Sequence, residues 1–226
     1  MWNIADDSIL VLTGIPCVGK TSAAYKILQK YPAFRRVSET DIIRTIVRAV
    51  LNNLIKSNFI DEKIIEREYS ELFKSLTIGD LFTTKLQAQK LMPYIKEIIL
   101  RQQRRKIPTI IEGSGIIPSL FFPDDTPLPW MNQNIIFVNM YISDANEQKI
   151  RRHNRCLERK YTSEYRKIEE QEAVVMREKN EFLHKETLNL GKKVPNVFSI
   201  DTAFMCSDNV ASKIMDVVNT YFRNIL

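Results

Sequence analysis

Cysteine is scarce in this chain, and its placement excludes more than its number does. The three, Cys17, Cys156 and Cys206, lie far apart in 226 residues. An odd, scattered set offers neither a disulfide framework nor the paired spacing of a zinc site. Histidine is scarcer still: His153 and His184 sit in charged helical sequence with no other ligand type nearby, and both read as surface residues. No stretch reaches the roughly 18 uninterrupted apolar residues of a membrane span. The opening run, Met1-Trp2-Asn3-Ile4-Ala5-Asp6-Asp7, has neither the basic start nor the cleavage site of a secretory signal. Internal repeats and low-complexity tracts are missing as well. These absences point to a cytoplasmic setting, reduced thiols and no membrane partner.

What is present is ordinary for a globular protein, with 44% hydrophobic and 27% charged residues. The length suits one α/β domain over 1–226 with a sizeable core. A net charge of +6 favours an acidic partner, whether a phosphorylated metabolite, nucleotides or RNA.

The most informative segment is Gly14-Ile15-Pro16-Cys17-Val18-Gly19-Lys20-Thr21, followed by Ser22. It matches G-x-x-x-x-G-K-[ST], a loop that wraps nucleotide phosphates in backbone N–H groups. In such a loop Lys20, a solvent-facing charge, reaches the β- and γ-phosphates of ATP, and the Thr21 hydroxyl ligates Mg²⁺. Cys17 reads as a small residue that fits. Before the loop, 8–12 is an apolar run of the kind buried on both faces of a sheet. After it, 22–31 is free of breakers, with Ala24, Ile27, Leu28 and Tyr31 at helical spacing and Pro32 at its end. Strand, glycine loop and helix stand in the order that the motif requires.

Further strands are expected at 34–38, 109–111, 135–142 and 197–200, separated by helical sequence. That alternation predicts a five-strand parallel sheet covered by helices on both faces. Helices are expected at 41–54, with Ile42, Ile43, Ile46, Val47, Val50 and Leu54 on one apolar face, and at 86–103, with Leu91, Ile95, Ile98 and Ile99. Three more are expected at 145–160, 163–190 and 207–222. The first two of these, roughly 145–190, form a helical lid region, in which 169–172 is a solvated face. Between 114 and 134 the prolines at 118, 123, 127 and 129 predict a long loop, functional or mobile.

Two large classes of phosphate-loop protein are excluded. The N-K-x-D and Asp-x-x-Gly elements of a GTPase do not occur, and no apolar strand ends in the Asp-Asp or Asp-Glu of an AAA-type ATPase. Instead Ile110-Ile111 runs into Glu112-Gly113, which resembles small-molecule kinases, where that acid faces the acceptor or the metal. Asp41 follows the second strand, and the carboxyl ends of strands line the crevice in such sheets. It is a general base for an attacking hydroxyl, or a helix cap. Arg44 and Arg48 lie on one helix face beyond it. They suit an anionic acceptor, with a solvated face as the plain alternative. Arg151, Arg155 and Arg159 form a basic stripe spaced by four; it supplies Arg151 and Arg155 to the transferring phosphoryl group, or is a charged surface or RNA-facing patch. No aromatic interleaving supports base stacking there.

On these residues the chain resembles 2-phosphoglycerate kinase and its P-loop kinase relatives. The likeness lies in the loop 14–21, in Thr40-Asp41-Ile42-Ile43-Arg44 on to Arg48, in the helix carrying Gln87 that leads to Thr109-Ile110-Ile111-Glu112-Gly113, and in Pro118. Ser114 and Gly115 stand where that family usually has a bulky residue and a histidine. The resemblance implies a three-layer, P-loop kinase-like α/β fold with strand order 2-3-1-4-5 and a helical lid, and Mg²⁺-dependent transfer of the ATP γ-phosphate to a hydroxyl of a small, anionic acceptor such as 2-phosphoglycerate. It places Asp41 at the acceptor hydroxyl, with Arg44, Arg48, Glu112 and Gly113 around the acceptor. The alternatives are a nucleotide-binding regulator and a toxin-like or RNA-directed P-loop kinase.

Overall fold

The computed structural model describes residues 4–73, 80–158 and 163–225, with side chains of 163–171 outside that description. Its centre is β1 (Ile9–Thr13), buried at all five positions. This strand pairs in parallel with β3 (Thr109–Gly113) on one side and β4 (Ile135–Tyr141) on the other. With partners on both edges and helices on both faces, no position faces water, which explains the unbroken apolar run. The edge strands are β2 (Arg36–Glu39), paired with β3, and β5 (Val197–Asp201), paired with β4. The order is β2-β3-β1-β4-β5, all parallel.

Alternate residues of β1 feed opposite layers, as the strand period dictates. Leu10 and Leu12 meet Ile27 of α1 (Lys20–Lys30) and Ile214, Val218 and Phe222 of α7 (Ser207–Ile225) in one core. Ile9 and Val11 meet Leu91, Ile95 and Ile99 of α4 (Leu81–Arg104) in the other, which also takes in Val47 and Leu51 of α2 (Thr40–Lys56) and Ile65 and Leu72 of α3 (Glu62–Phe73). The chain is completed by α5 (Ala145–Glu158) and α6 (Ser163–Gly191).

Several expectations are corrected here. The apolar residues of α2 do not share one buried face: Val47 and Leu51 are buried, whereas Ile42, Ile46 and Val50 are 55%, 57% and 51% exposed. The six apolar positions span too wide an arc for one contact, and the layer takes only the side that also holds Thr40. The helix α3 was not expected, although Ile65, Tyr69 and Leu72 recur at helical spacing and pack into the second core. The next helix, α4, starts earlier than expected, where the Asp80 side chain accepts from the Thr83 N–H at 2.7 Å as an N-cap. The stretch 114–134 is not a free loop. Its turns at Pro118–Phe121 and Pro123–Asp125 bring Phe121 and Phe122 against Phe137, with ring centroids 5.0 and 5.3 Å apart. Such aromatic pairs add about 0.5–1.5 kcal/mol each beyond area burial.

The helix α6 also differs from a solvated lid. Met176 and Leu183 belong to the first core. Glu172, placed on a solvated face by the sequence, is buried and ion-paired with Arg152 at 3.0 Å. His184 is half-buried rather than a surface residue, stacked on Tyr141 at 3.7 Å and hydrogen-bonded to Ser199 at 2.9 Å. Burial lowers its pKa, against the charge of Asp201. A charged helix can bury polar groups where they are paired.

Lys179 on the same helix is buried, and burial pulls its pKa down to about 8, against the charges of Asp80 and Glu172. The unfolded chain therefore binds more protons between about 8 and the ordinary lysine value, so this residue's contribution makes stability rise with pH across that window. Urea unfolding of wild type and Lys179→Met from pH 7 to 10.5 tests this. The variant is expected to lack that part of the rise, and identical pH slopes would refute it.

Candidate active site

The phosphate loop is built by backbone conformations that few residues tolerate. Gly14 has φ +138°, and a Cβ there would strike the Met140 carbonyl. Cys17 and Gly19 also take positive φ, 71° and 92°. This winding ends in α1, whose N-cap is Gly19 with no side-chain cap. The helix's first N–H groups are thus left for an anion.

Lys20 is not solvent-facing: it is buried, with 7% exposure. Its Nζ donates to the Ile15 carbonyl at 2.8 Å and to Ser114 Oγ at 3.0 Å. Burial lowers its pKa, while the charges of Glu112, Asp41 and Cys17 oppose that and Arg155 adds to it. The Thr21 hydroxyl donates to Glu112 Oε1 at 2.7 Å. Burial raises the Glu112 pKa, against the Thr21 hydrogen bond and the Lys20 charge. The loop's cation and hydroxyl are therefore held by the residues just after β1 and at the end of β3.

Gly113 explains how β2 joins this group. A Cβ at Gly113 would collide with the Thr40 side chain, so glycine allows the β2–α2 junction to pack against the end of β3. Glu39 and Glu112 are register partners there, and Glu39 accepts from the Tyr25 hydroxyl at 3.2 Å. Asp41 lies exposed in the first turn of α2. The N-cap of that helix is Glu39, with no side-chain cap hydrogen bond, which removes the capping alternative for Asp41. Its charge acts on Lys20, Glu112 and Arg44. Residues distant in sequence are thus gathered around Lys20 and Glu112.

Arg44 is half-buried, and its Nε and one terminal nitrogen, Nη1, are buried without a hydrogen-bond partner among the described residues. Burial lowers its pKa, with Asp41 opposing. Arg48 is placed differently: its Nε donates to the Leu72 carbonyl, and its guanidinium lies 6.0 Å from the Phe73 ring centre. That places it on the contact between α2 and α3.

On the other side of the loop lies a cavity of about 500 Å³. Its walls are 17–22 of the loop, then Arg151, Asn154, Arg155 and Glu158 of α5, and Met205, Ser207 and Val210 beyond β5. Arg155 donates to Cys17 Sγ at 3.6 Å. Arg151 is already engaged, donating to Glu147 at 2.7 Å and to the carbonyls of Thr202 and Met205 at 2.6 and 3.4 Å. Arg159 lies outside the described residues.

Sequence reasoning did not single out Ser114, Glu39, Asn154 or the 202–205 turn. Ser114 directly follows Glu112-Gly113, and Glu39 stands two residues before Asp41. Adjacency to those motifs was the available signal. Mg²⁺ is commonly held by one or two protein oxygens plus phosphates and water. The Thr21 hydroxyl, with Glu112 beside it, fits that demand. Among the described residues no cluster of three or more His, Cys, Asp or Glu side chains could hold a metal by itself, and no helix is long and apolar enough to cross a membrane.

The strand order, with a phosphate loop after β1, defines a P-loop kinase-like α/β fold. No protein-family model and no curated protein matches the chain, so the likeness to 2-phosphoglycerate kinase rests on motifs alone. Among solved structures it is similar to shikimate kinase from Acinetobacter baumannii in complex with shikimate, at 16% identity over 94% of this chain and 93% of that one, TM-score 0.46. It is also similar to shikimate kinase from Aquifex aeolicus, at 13% identity over 94% and 96%, TM-score 0.36. A third is an uncharacterized protein from Eubacterium ventriosum, at 12% identity over 95% and 99%, TM-score 0.44.

Proposed function

We propose that this protein is an ATP-dependent phosphotransferase acting on a hydroxyl of a small, anionic acceptor. The observation that carries this is the grouping of Lys20, the Thr21–Glu112 pair and Asp41, with Arg44 beside Asp41 and its Nε and Nη1 buried without a hydrogen-bond partner among the described residues. A nucleotide switch that transfers no phosphate has no need of a half-buried arginine beside a carboxylate that acts on the loop lysine.

In this reading the triphosphate lies along 14–22, and Lys20 Nζ exchanges the Ile15 carbonyl and Ser114 for phosphate oxygens. Arg155, beside Cys17, meets the transferring group, while Arg151 holds the wall of the cavity. The acceptor oxygen attacks the γ-phosphorus, the bond to the β-phosphate oxygen breaks, ADP leaves, and the hydroxyl proton passes to Asp41. Mg²⁺ on Thr21, with Glu112 behind it, would neutralise charge on the phosphates. Arg44 binds the acceptor's anionic group through its planar fork, and Gly113 supports the acceptor side by letting Thr40 approach. A carboxylate-bearing phosphoester such as 2-phosphoglycerate is one candidate acceptor.

The test is incubation with Mg-ATP and a metabolite extract, with mass spectrometry for a species that gains one phosphate. The expected result is one such species, absent with Asp41→Asn. Stoichiometric ATP binding with no acceptor-stimulated turnover would refute the proposal and leave a nucleotide-binding regulator.

A further inference from the structure

The end of the sheet opposite the phosphate loop gathers six exposed cations, Arg35, Arg36, Arg101, Arg104, Arg105 and Lys106. Backbone geometry brings them together. The helix α4 closes in a turn where the Lys106 N–H donates to the Gln103 carbonyl at 3.0 Å and the Ile107 N–H to the Gln102 carbonyl at 3.1 Å. Two residues later β3 begins; there Arg36 is the register partner of Thr109, and the Arg35 N–H donates to the Pro108 carbonyl at 3.0 Å. Val37 packs against the first core, so the strand period turns Arg36 to the other face, the one α4 covers. No acid interrupts 98–111 or 32–38, and none of the six is ion-paired with a described residue. Asp7 borders the group, linked to Gln103 through Asn132 by hydrogen bonds of 2.9 and 3.1 Å.

Local reasons account for part of this. Arg101 and Arg104 complement the negative end of the α4 dipole, and charge on the edge strand β2 discourages pairing with another sheet. Neither asks for Lys106, which takes φ +51° at a helix-closing position that ordinarily belongs to glycine or asparagine. Nor does either ask for cations from two elements to meet with no acid between them, where like charges repel.

The chemistry of the patch selects its partner. Five of the six are arginines, whose planar fork suits phosphate. None of the exposed large apolar or aromatic side chains among the described residues lies in 35–36 or 101–106. The patch therefore offers no ring for an unpaired base and no wedge for a lipid interior. A nucleic-acid duplex matches it, because a duplex turns its bases inward and its phosphates outward.

We propose that this patch docks the protein on the phosphate backbone of duplex nucleic acid, without reading its sequence. The surface is separate from the phosphate loop, which lies beyond the other end of the sheet, roughly 13 Å of strand away. The inference does not depend on phosphotransfer.

Fluorescence anisotropy of the full chain with a labelled two-turn RNA duplex, titrated with salt, tests this. With about four to six phosphates engaged, the slope of log K against log salt is expected between about −3 and −5. Arg35→Gln with Arg36→Gln, and separately Arg104→Gln with Arg105→Gln, should each make the slope shallower by about 2 and weaken binding at about 0.1 M salt by roughly tenfold or more. Both variants should melt like wild type, because the side chains replaced are exposed and in no ion pair with a described residue. Lys63→Gln with Arg67→Gln removes the same charge from α3 and should leave binding nearly unchanged. Saturating Mg-ATP should not compete. Equal effects of the α3 pair and the patch pairs would overturn the proposal, since net charge alone would then explain binding. Competition by Mg-ATP would overturn it too, by placing the duplex at the phosphate loop. So would failure of wild type to bind the duplex at low salt; binding to phosphatidylserine vesicles in that case would assign the patch to an anionic membrane.

Discussion

Lys20→Ala is expected to abolish measurable ATP binding while the protein stays folded. Removing one partner of a desolvated charge pair costs about 2–5 kcal/mol, or about 30- to 5,000-fold in Kd. Lys20 is such a partner once a phosphate displaces Ile15 and Ser114 from its Nζ. The fold should tolerate the change because burial already works against this ammonium. The groups it leaves unpaired, the Ile15 carbonyl and Ser114 Oγ, are ones that water can satisfy once the side chain is gone. Calorimetric titration with Mg-ATP, with thermal melting as control, checks both halves. Wild-type affinity in a folded variant would remove the nucleotide assignment.

Asp41→Asn is expected to lower turnover by about 10²–10⁴-fold, the usual worth of general-base help, with ATP affinity nearly unchanged. The substitution keeps the side-chain volume and removes the ability to accept the hydroxyl proton. Stability should barely move, because Asp41 is exposed and is not the cap of its helix. Arg44→Ala is expected to act differently, raising the acceptor's KM more than it lowers kcat, as for a group that binds ground and transition states alike. Steady-state kinetics on the identified acceptor, with melting temperatures, resolves the two effects. Near-normal turnover in Asp41→Asn would leave Glu112 as the next carboxylate to test.

Much of the architecture was legible in the sequence because its signals are local. Buried strands such as Ile9–Thr13 and Ile135–Tyr141 show as unbroken apolar runs. The loop's glycines, Lys20 and Thr21 are set by the stereochemistry of one turn. The parallel sheet followed from alternation of strand and helix, and its strand order from the likeness of the motifs to P-loop kinases. The misses have a common cause: periodicity reports how apolar a face is, without saying what covers it. Ile42, Ile46 and Val50 match the helical period as well as Val47 does, yet only Val47 meets the second core. Glu172 and His184 look like surface residues until Arg152, Tyr141 and Ser199 are brought to them.

The sequence by itself determined the glycine-rich loop motif, the parallel sheet and the set of charged residues available to a site, because each is written in neighbouring residues. Only the tertiary structure decided which of those charges work together. Gly113 admits Thr40 and so brings Asp41 to the end of β3. Arg48 is drawn to α3 while Arg44 keeps two buried nitrogens without a hydrogen-bond partner among the described residues. Arg151 is tied to the 202–205 turn while Arg155 reaches the loop at Cys17. Such choices depend on hydrogen bonds and packing between residues far apart in the chain, and no local pattern encodes which distant partner a long cationic side chain will meet.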